Sequence, residues 1–193
     1  QALGRNAMVT VQKVAFAKWL SPRSGFYHAN NKNLISGGTS ALSIGGLVLG
    51  VQKFDEQVDA KGTPIVAMAK YLLVPPALKT YSLQLYRDTT VNETTTADKP
   101  KPNSNPHVGL YEPLSTVWIG AAGGLGGTDT NWFLASDPAD MCAVELTYLD
   151  GVETPTVESA ELDHKELGVG FRGYIDFGAN DQNHRAAVKS AGA

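Results

Sequence analysis

The apolar and polar positions of the chain change period several times, and each change marks an element. In residues 7–20 (AMVTVQKVAFAKWL), Met8, Val11, Ala15 and Trp19 recur at i, i+3, i+7 and i+11. That is a helical stripe, with Lys13 and Lys18 off it. Ser21-Pro22 ends the helix, because a proline ring pushes the residue before it out of helical backbone. Residues 24–36 are rich in Gly and Asn and read as a loop tucked down by Phe26, Tyr27, Leu34 and Ile35. A second helix is expected from an N-cap at Thr39 or Ser40, with Ile44, Leu47, Val48, Val51 and Phe54 along one face. Gly45, Gly46 and Gly50 lie inside it, each costing up to ~1 kcal/mol against alanine. Such glycines need a packing reason, most simply the close approach of another element.

The second helix frays over residues 55–59, and Lys61-Gly62-Thr63-Pro64 forms a turn. Residues 65–74 are apolar on both faces apart from Lys70, the pattern of a strand buried on both sides. Pro75-Pro76 stops the strand, and Pro76 suits the first position of a helix that carries Leu78, Tyr81 and Leu85 on one face. Residues 89–105 (TTVNETTTADKPKPNSN) are poor in hydrophobics and read as a mobile surface loop. The sequon Asn92-Glu93-Thr94 falls within it and reads as chance. Strand-like patterning returns over 107–119 and ends in a strand at 115–119, and 120–127 (GAAGGLGG) reads as flexible. Short strands are expected at 131–135 and 142–149 around a turn at 136–140, with Cys142, Val144, Leu146 and Tyr148 alternating. Asp150-Gly151 predicts a two-residue hairpin turn, returning along an edge strand after Pro155. Residues 169–177 alternate as one half-buried strand, and the small, polar tail 180–193 suggests a short helix.

Composition narrows the class. Hydrophobic residues make up 42% of the 193 and charged ones 18%, which fits a globular α+β chain and excludes a disordered one. Cys142 is the one cysteine, so there is no internal disulfide, and its strand-like surroundings suggest a buried, inert thiol in a reducing compartment. No run reaches the ~20 apolar residues of a membrane helix, so no membrane partner is expected. The chain starts at Gln1 rather than Met and reads as a piece of a longer protein. Its net charge of −3 hides an asymmetry: residues 1–54 hold six basic and no acidic residues, while 137–166 hold nine acidic residues against Lys165 alone. Two solvated faces would explain this. So would head-to-tail attraction between copies, or a basic surface against nucleic acid.

No residue pattern points to catalysis, a cofactor or a metal. Gly168, Gly170 and Gly173 spell G-x-G-x-x-G, but inside an alternating strand rather than at the opening of a helix. The run 120–127 lacks the Lys-Ser/Thr pair of a phosphate loop. Ser43 sits one letter away from a nucleophile elbow but within the second helix instead of after a strand. His28, His107, His164 and His184 are scattered without helical metal-ligand spacing. Asp163-His164-Lys165-Glu166 reads as an exposed turn, and the carboxylates lack an apolar pocket that would tune them for acid catalysis. A hydrolase using Ser43 or Cys142 stays open as an alternative.

Several stretches, in order, resemble the major capsid (head) proteins of tailed phages, most closely the Mu-like prophage head subunit. They are Gly25-Phe26, Asn33-Leu34-Ile35-Ser36 and Ala41-Leu42-Ser43; then Asp59-x-x-Gly62-x-Pro64-Ile65 and Leu72-Leu73-Val74-Pro75-Pro76-Ala77-Leu78. After these come Trp132-Phe133-Leu134, Leu149-Asp150-Gly151-x-x-x-Pro155, Ile175-Asp176-Phe177-Gly178-Ala179 and the terminal Gly192-Ala193. The resemblance implies the tailed-phage capsid fold shared with herpesvirus shells, with peripheral and axial lobes and a truncated N-terminus. It implies that 1–53 form the end of the long helix, a loop and a leading helix; that 54–130 form the axial lobe, with 89–105 as its loop; and that 131–193 form connecting strands and the peripheral sheet. The implied function is an icosahedral head shell built from pentamers and hexamers around DNA, in a virion assembled in the host bacterial cytoplasm. The implied partners are the chain itself, scaffold, portal, prohead protease and non-specifically packaged DNA. No enzyme activity is implied; a protease label would belong to a fused upstream region. Another virion structural or scaffold protein is the alternative from the same class.

Overall fold

The computed structural model describes residues 2–94, 100–160 and 170–193. Its centre is a five-stranded mixed sheet made of β1 (Leu34–Ile35), β2 (Ala69–Val74), β5 (Glu112–Ser115), β6 (Trp132–Ser136) and β11 (Ala187–Ser190), in the order β1-β11-β6-β2-β5. β6 is antiparallel to both β11 and β2, while β1 runs parallel to β11 and β5 parallel to β2. A parallel pair needs a long crossover. Between β2 and β5 it consists of helix α3 (Lys79–Arg87) and a hairpin of β3 (Thr90–Thr94) and β4 (Pro100–Ser104).

Both faces of the sheet are covered, which is why β6 is apolar and buried at successive positions. On one face Trp132, Leu134, Leu72, Val74 and Val188 pack under Leu47 and Phe54 of α2 (Ile44–Asp55) and Leu85 of α3. On the other face Phe133 meets Leu20 and Ile119, with Trp19 and Leu73 alongside. Trp19 and Leu20 end helix α1 (Ala2–Leu20). The rest of α1 packs on two ribbons, β7 (Val144–Tyr148) with β10 (Phe177–Asp181), and β8 (Thr156–Ala160) with β9 (Gly170–Tyr174).

The motif stretches are structural devices. Asp59 Oδ1 accepts the N–H of Lys61 (2.7 Å) and of Thr63 (2.8 Å), which closes the turn through Gly62. Those bonds from Thr63 and Lys61 hold the Asp59 carboxyl below its usual range. Val74 and Pro75 are buried, and Pro76 opens a 3-10 turn (Pro76–Leu78) that leads straight into α3. Asn33 is fully buried and satisfied: its Nδ2 donates to Phe26 O (2.7 Å) and His184 O (2.8 Å), and its Oδ1 accepts the His28 N–H (2.9 Å).

Helix α2 gives its glycines the expected reason. A Cβ at Gly50 would lie 2.6 Å from Leu134 Cδ1, and one at Gly46 would lie 2.3 Å from Ala41 O. Gly50 lets α2 sit directly on β6, and Gly46 lets the turn at Ala41 fold back against the start of the helix. Gly45 is exposed, a Cβ there would meet only Ser43 Oγ at an ordinary 3.8 Å, and it has no such role. The helix starts later than expected. Its N-cap is Ser43, whose Oγ accepts the Gly46 N–H at 2.9 Å, not Thr39 or Ser40. Ser40 is buried instead, its carbonyl accepting from Trp132 Nε1 (2.9 Å) and Ser190 Oγ (2.6 Å). The buried face is correspondingly Gly46, Leu47, Gly50 and Phe54, with Val48 turned outward.

Other expectations need correction. The strand expected at 65–74 exists only from Ala69, because Val66 takes a left-handed φ of 55° that breaks the pleat. The expected loop 89–105 is largely the β3–β4 hairpin, with Asn92 on β3; residues 95–99 lie outside the described part. Pro100 and Pro102 made it read as loop, yet a two-stranded ribbon leaves half of its N–H positions unpaired and tolerates proline there. At 115–119 the chain leaves β5 for a 3-10 turn (Val117–Ile119). The run 120–127 folds back on that turn, since a Cβ at Gly127 would lie 2.0 Å from Ile119 O.

Asp150 and Gly151 do form a tight turn, both with positive φ, but β7 does not pair with the strand that follows it. β7 takes β10, and β8 takes β9. The single strand expected over 169–177 is therefore two strands, broken at Ile175-Asp176, with Val169 outside the described residues. Instead of a helix, the tail contributes a 3-10 turn (His184–Ala186) and then β11, a central strand of the main sheet with Ala187, Val188 and Ser190 buried.

Candidate assembly surfaces

The polar side chains singled out in the sequence are spread over the molecule in structural roles. Ser43 caps α2 through its hydroxyl. Cys142 is half-buried rather than buried, lining a hollow of about 360 Å³ with Trp19, Met141 and Val144. His28 caps a short turn, its Nδ1 accepting the Asn30 N–H at 3.1 Å. His107 is buried beside Tyr111; burial lowers its pKa, partly countered by a hydrogen bond to the Ile44 backbone. His184 packs edge-on against Phe26, its pKa lowered by burial and by Arg185 and Arg23. Gly170 and Gly173 lie in β9; Gly168 and the stretch 163–166 lie outside the described residues. Among the described residues no group of three or more His, Cys, Asp or Glu could hold a metal, and no helix is long and apolar enough to cross a membrane.

What the surface offers instead is unpartnered apolar side chains in charged surroundings. α1 lies along the two ribbons. At its start the Leu3 Cβ faces Gly173 of β9 (3.6 Å from a Cβ placed there), and at its end Lys18 (3.9 Å) and, just beyond, Arg23 (3.2 Å) reach Asp181 of β10. Asp181 is buried, so two of the basic residues near the N-terminus are used inside the chain. Turned off that contact is a stripe at i, i+3, i+4, i+7 and i+8: Arg5, Met8, Val9, Gln12 and Lys13. All five are exposed, and Arg5 and Lys13 have no ion pair among the described residues.

On the ribbons, the turn after β7 projects Leu149 (62% exposed) and Val152 (48%) beside Asp150. With Tyr174, Ile175 and Asp176 they line an open hollow of about 200 Å³. Arg172 is engaged by Glu158 (2.8 Å), and Glu158 is held below its usual range first by that bond and then by Tyr174. Asp150 and Asp176 have no such counter-charge among the described residues. A third patch sets Met68 (75%) and Leu110 (54%) over a small hollow beside α2.

Sequence reasoning missed these surfaces because it assigned Val9 and Val152 no partner. The expected stripe put Met8 with Val11, Ala15 and Trp19; in the structure Val11 is buried while Met8 is 39% exposed and joins Val9 on the outer face.

These surfaces suit a chain that works by contact with other chains. No curated protein matches the chain. The model of the family described as phage capsid protein matches residues 1–190, so the chain belongs to that family and is a structural protein of the phage head.

Proposed function

We propose that this chain is the major subunit of a tailed-phage head, of the Mu-like prophage branch, self-assembling into pentamers and hexamers that close around DNA. The observation that carries the reading is the family match over residues 1–190. Exposed apolar patches on a chain with a complete core support it. Heterologous contacts that close into rings are the natural use of such surfaces.

We assign the stretch 54–130 to an axial lobe centred on the main sheet, with β1, β6 and β11 joining it from the flanking stretches. The stretch 1–53 supplies the end of the long helix, the loop and α2. Within 131–193, the β7–β10 and β8–β9 ribbons lying on α1 form the peripheral sheet. Scaffold, portal and prohead protease are the proposed assembly partners, in a bacterial cytoplasm, and packaged DNA is bound without sequence preference. Electron microscopy of the full-length protein tests the reading. Rings or shells are expected; strict monomers at every salt and protein concentration would overturn it.

A further inference from the structure

We infer that the outer stripe of α1 docks onto the β7 turn of a second copy of the same chain, giving a head-to-tail contact. This rests on the capsid reading and names the surfaces that one of its contacts uses. The stripe offers Val9 and Met8 between two cations, Arg5 and Lys13. The turn offers Leu149 and Val152 between two carboxylates, Asp150 and Asp176, around an open hollow. Each patch has an apolar centre and one sign of charge, the signs are opposite, and within one copy neither set of charges is neutralised among the described residues.

Placement favours a second copy over self-contact. α1 is fixed to its own ribbons at both ends, through Leu3 against Gly173 and Lys18 with Asp181. Its Arg5–Lys13 stripe is turned off that contact, and neither cation pairs with Asp150 or Asp176 of its own chain among the described residues. A contact between two different patches leaves one of each free on every dimer. It therefore propagates, and the rotation between copies decides whether it closes into a ring.

Charge reversal in the full chain tests the pairing. One variant carries Arg5→Glu and Lys13→Glu; the other carries Asp150→Lys and Asp176→Lys. All four positions are exposed, and circular dichroism checks that the folds are kept. Sedimentation velocity should show each variant alone associating on the order of tenfold more weakly than wild type or worse. An equimolar mixture should recover association, since reversed stripe meets reversed turn and native stripe meets native turn. Variants that form rings or shells as readily as wild type would overturn this contact and leave the capsid reading standing. So would folded variants that lose assembly but are not rescued by mixing. A wild-type chain that never assembles overturns both.

Discussion

The three glycines of α2 make one helix respond to the same mutation in opposite directions. In an exposed helix Gly→Ala stabilises by about 1 kcal/mol, because alanine leaves less backbone freedom to lose. Gly45→Ala should show most of that gain: the new Cβ would meet nothing closer than Ser43 Oγ at 3.8 Å. Gly50→Ala should not. Its Cβ would lie 2.6 Å from Leu134 Cδ1 and 3.4 Å from the Trp132 ring, whereas carbon atoms rest ~3.5–4.0 Å apart. The Leu134 methyl must retreat by about 1 Å, yet Leu134 is fully buried in β6 between two paired strands. Overpacking of this kind costs ~1–3 kcal/mol, so after the propensity gain Gly50→Ala is destabilised by about 1 kcal/mol. Gly46→Ala should be worse. Its Cβ would lie 2.3 Å from the Ala41 carbonyl, in a backbone turn pinned by the bonds from Trp132 and Ser190 to Ser40 O.

The assay is thermal unfolding of unassembled subunits at low protein concentration. In a chain of this size ~1 kcal/mol moves Tm by about 2–4 °C, so Gly45→Ala and Gly50→Ala should lie about 4–8 °C apart. Adding Leu134→Val to Gly50→Ala removes the opposing methyl, and the pair should be more stable than the sum of its parts by about 1 kcal/mol. A Gly50→Ala variant as stable as Gly45→Ala would refute the close seating of α2 on β6.

Three further outcomes follow from single sites. Asn105 joins the end of α3 to the following chain, its Nδ2 donating to Leu85 O (2.7 Å) and Asp88 O (2.8 Å) and its Oδ1 accepting the His107 N–H (3.0 Å). Asn105→Ala strips all three bonds and should cost about 3 kcal/mol in urea unfolding; a loss below about 1 kcal/mol would count against those bonds. Val66 holds a left-handed φ of 55° with its side chain exposed, so Val66→Asn should raise stability by about 1 kcal/mol, and an unchanged or lower Tm would remove the strain argument. His107 and His184 have pKa values lowered in the fold, so below about pH 6.5 the unfolded chain binds more protons. Their contribution is complete above that pH and is lost as pH falls toward the folded values, so the double variant His107→Gln/His184→Gln should flatten the stability slope just below pH 6.5, a slope read from urea midpoints.

How much of this fold could be read from the letters depended on whether a residue's partner was near in sequence. The Pro75-Pro76 step, the turn at Lys61–Pro64, the face of α3 and the strand around Trp132 rest on local backbone rules and came through. The tail did not. Ala187-Val188-Lys189-Ser190 has little strand character of its own; it is a strand because β1 and β6 flank it on either side, a non-local decision. The β7 turn failed in the same way: Asp150-Gly151 sets a tight turn wherever it occurs, but not which strand β7 pairs with, and Asp176 O holding the Leu149 N–H at 3.1 Å shows that β10 took the place.

The capsid assignment was legible for a different reason. It rested on the order of many weak motifs, and the structure shows what several of those motifs are: a carboxylate-closed turn, a proline step into a helix, a turn with two left-handed residues. Each fixes the direction of the chain at a corner, as a shell subunit requires, because its contacts depend on where rigid surfaces point. The side chains that would make those contacts, such as Val9 and Leu149, follow no local rule. Their exposure becomes informative only once the fold shows which faces the chain itself leaves uncovered.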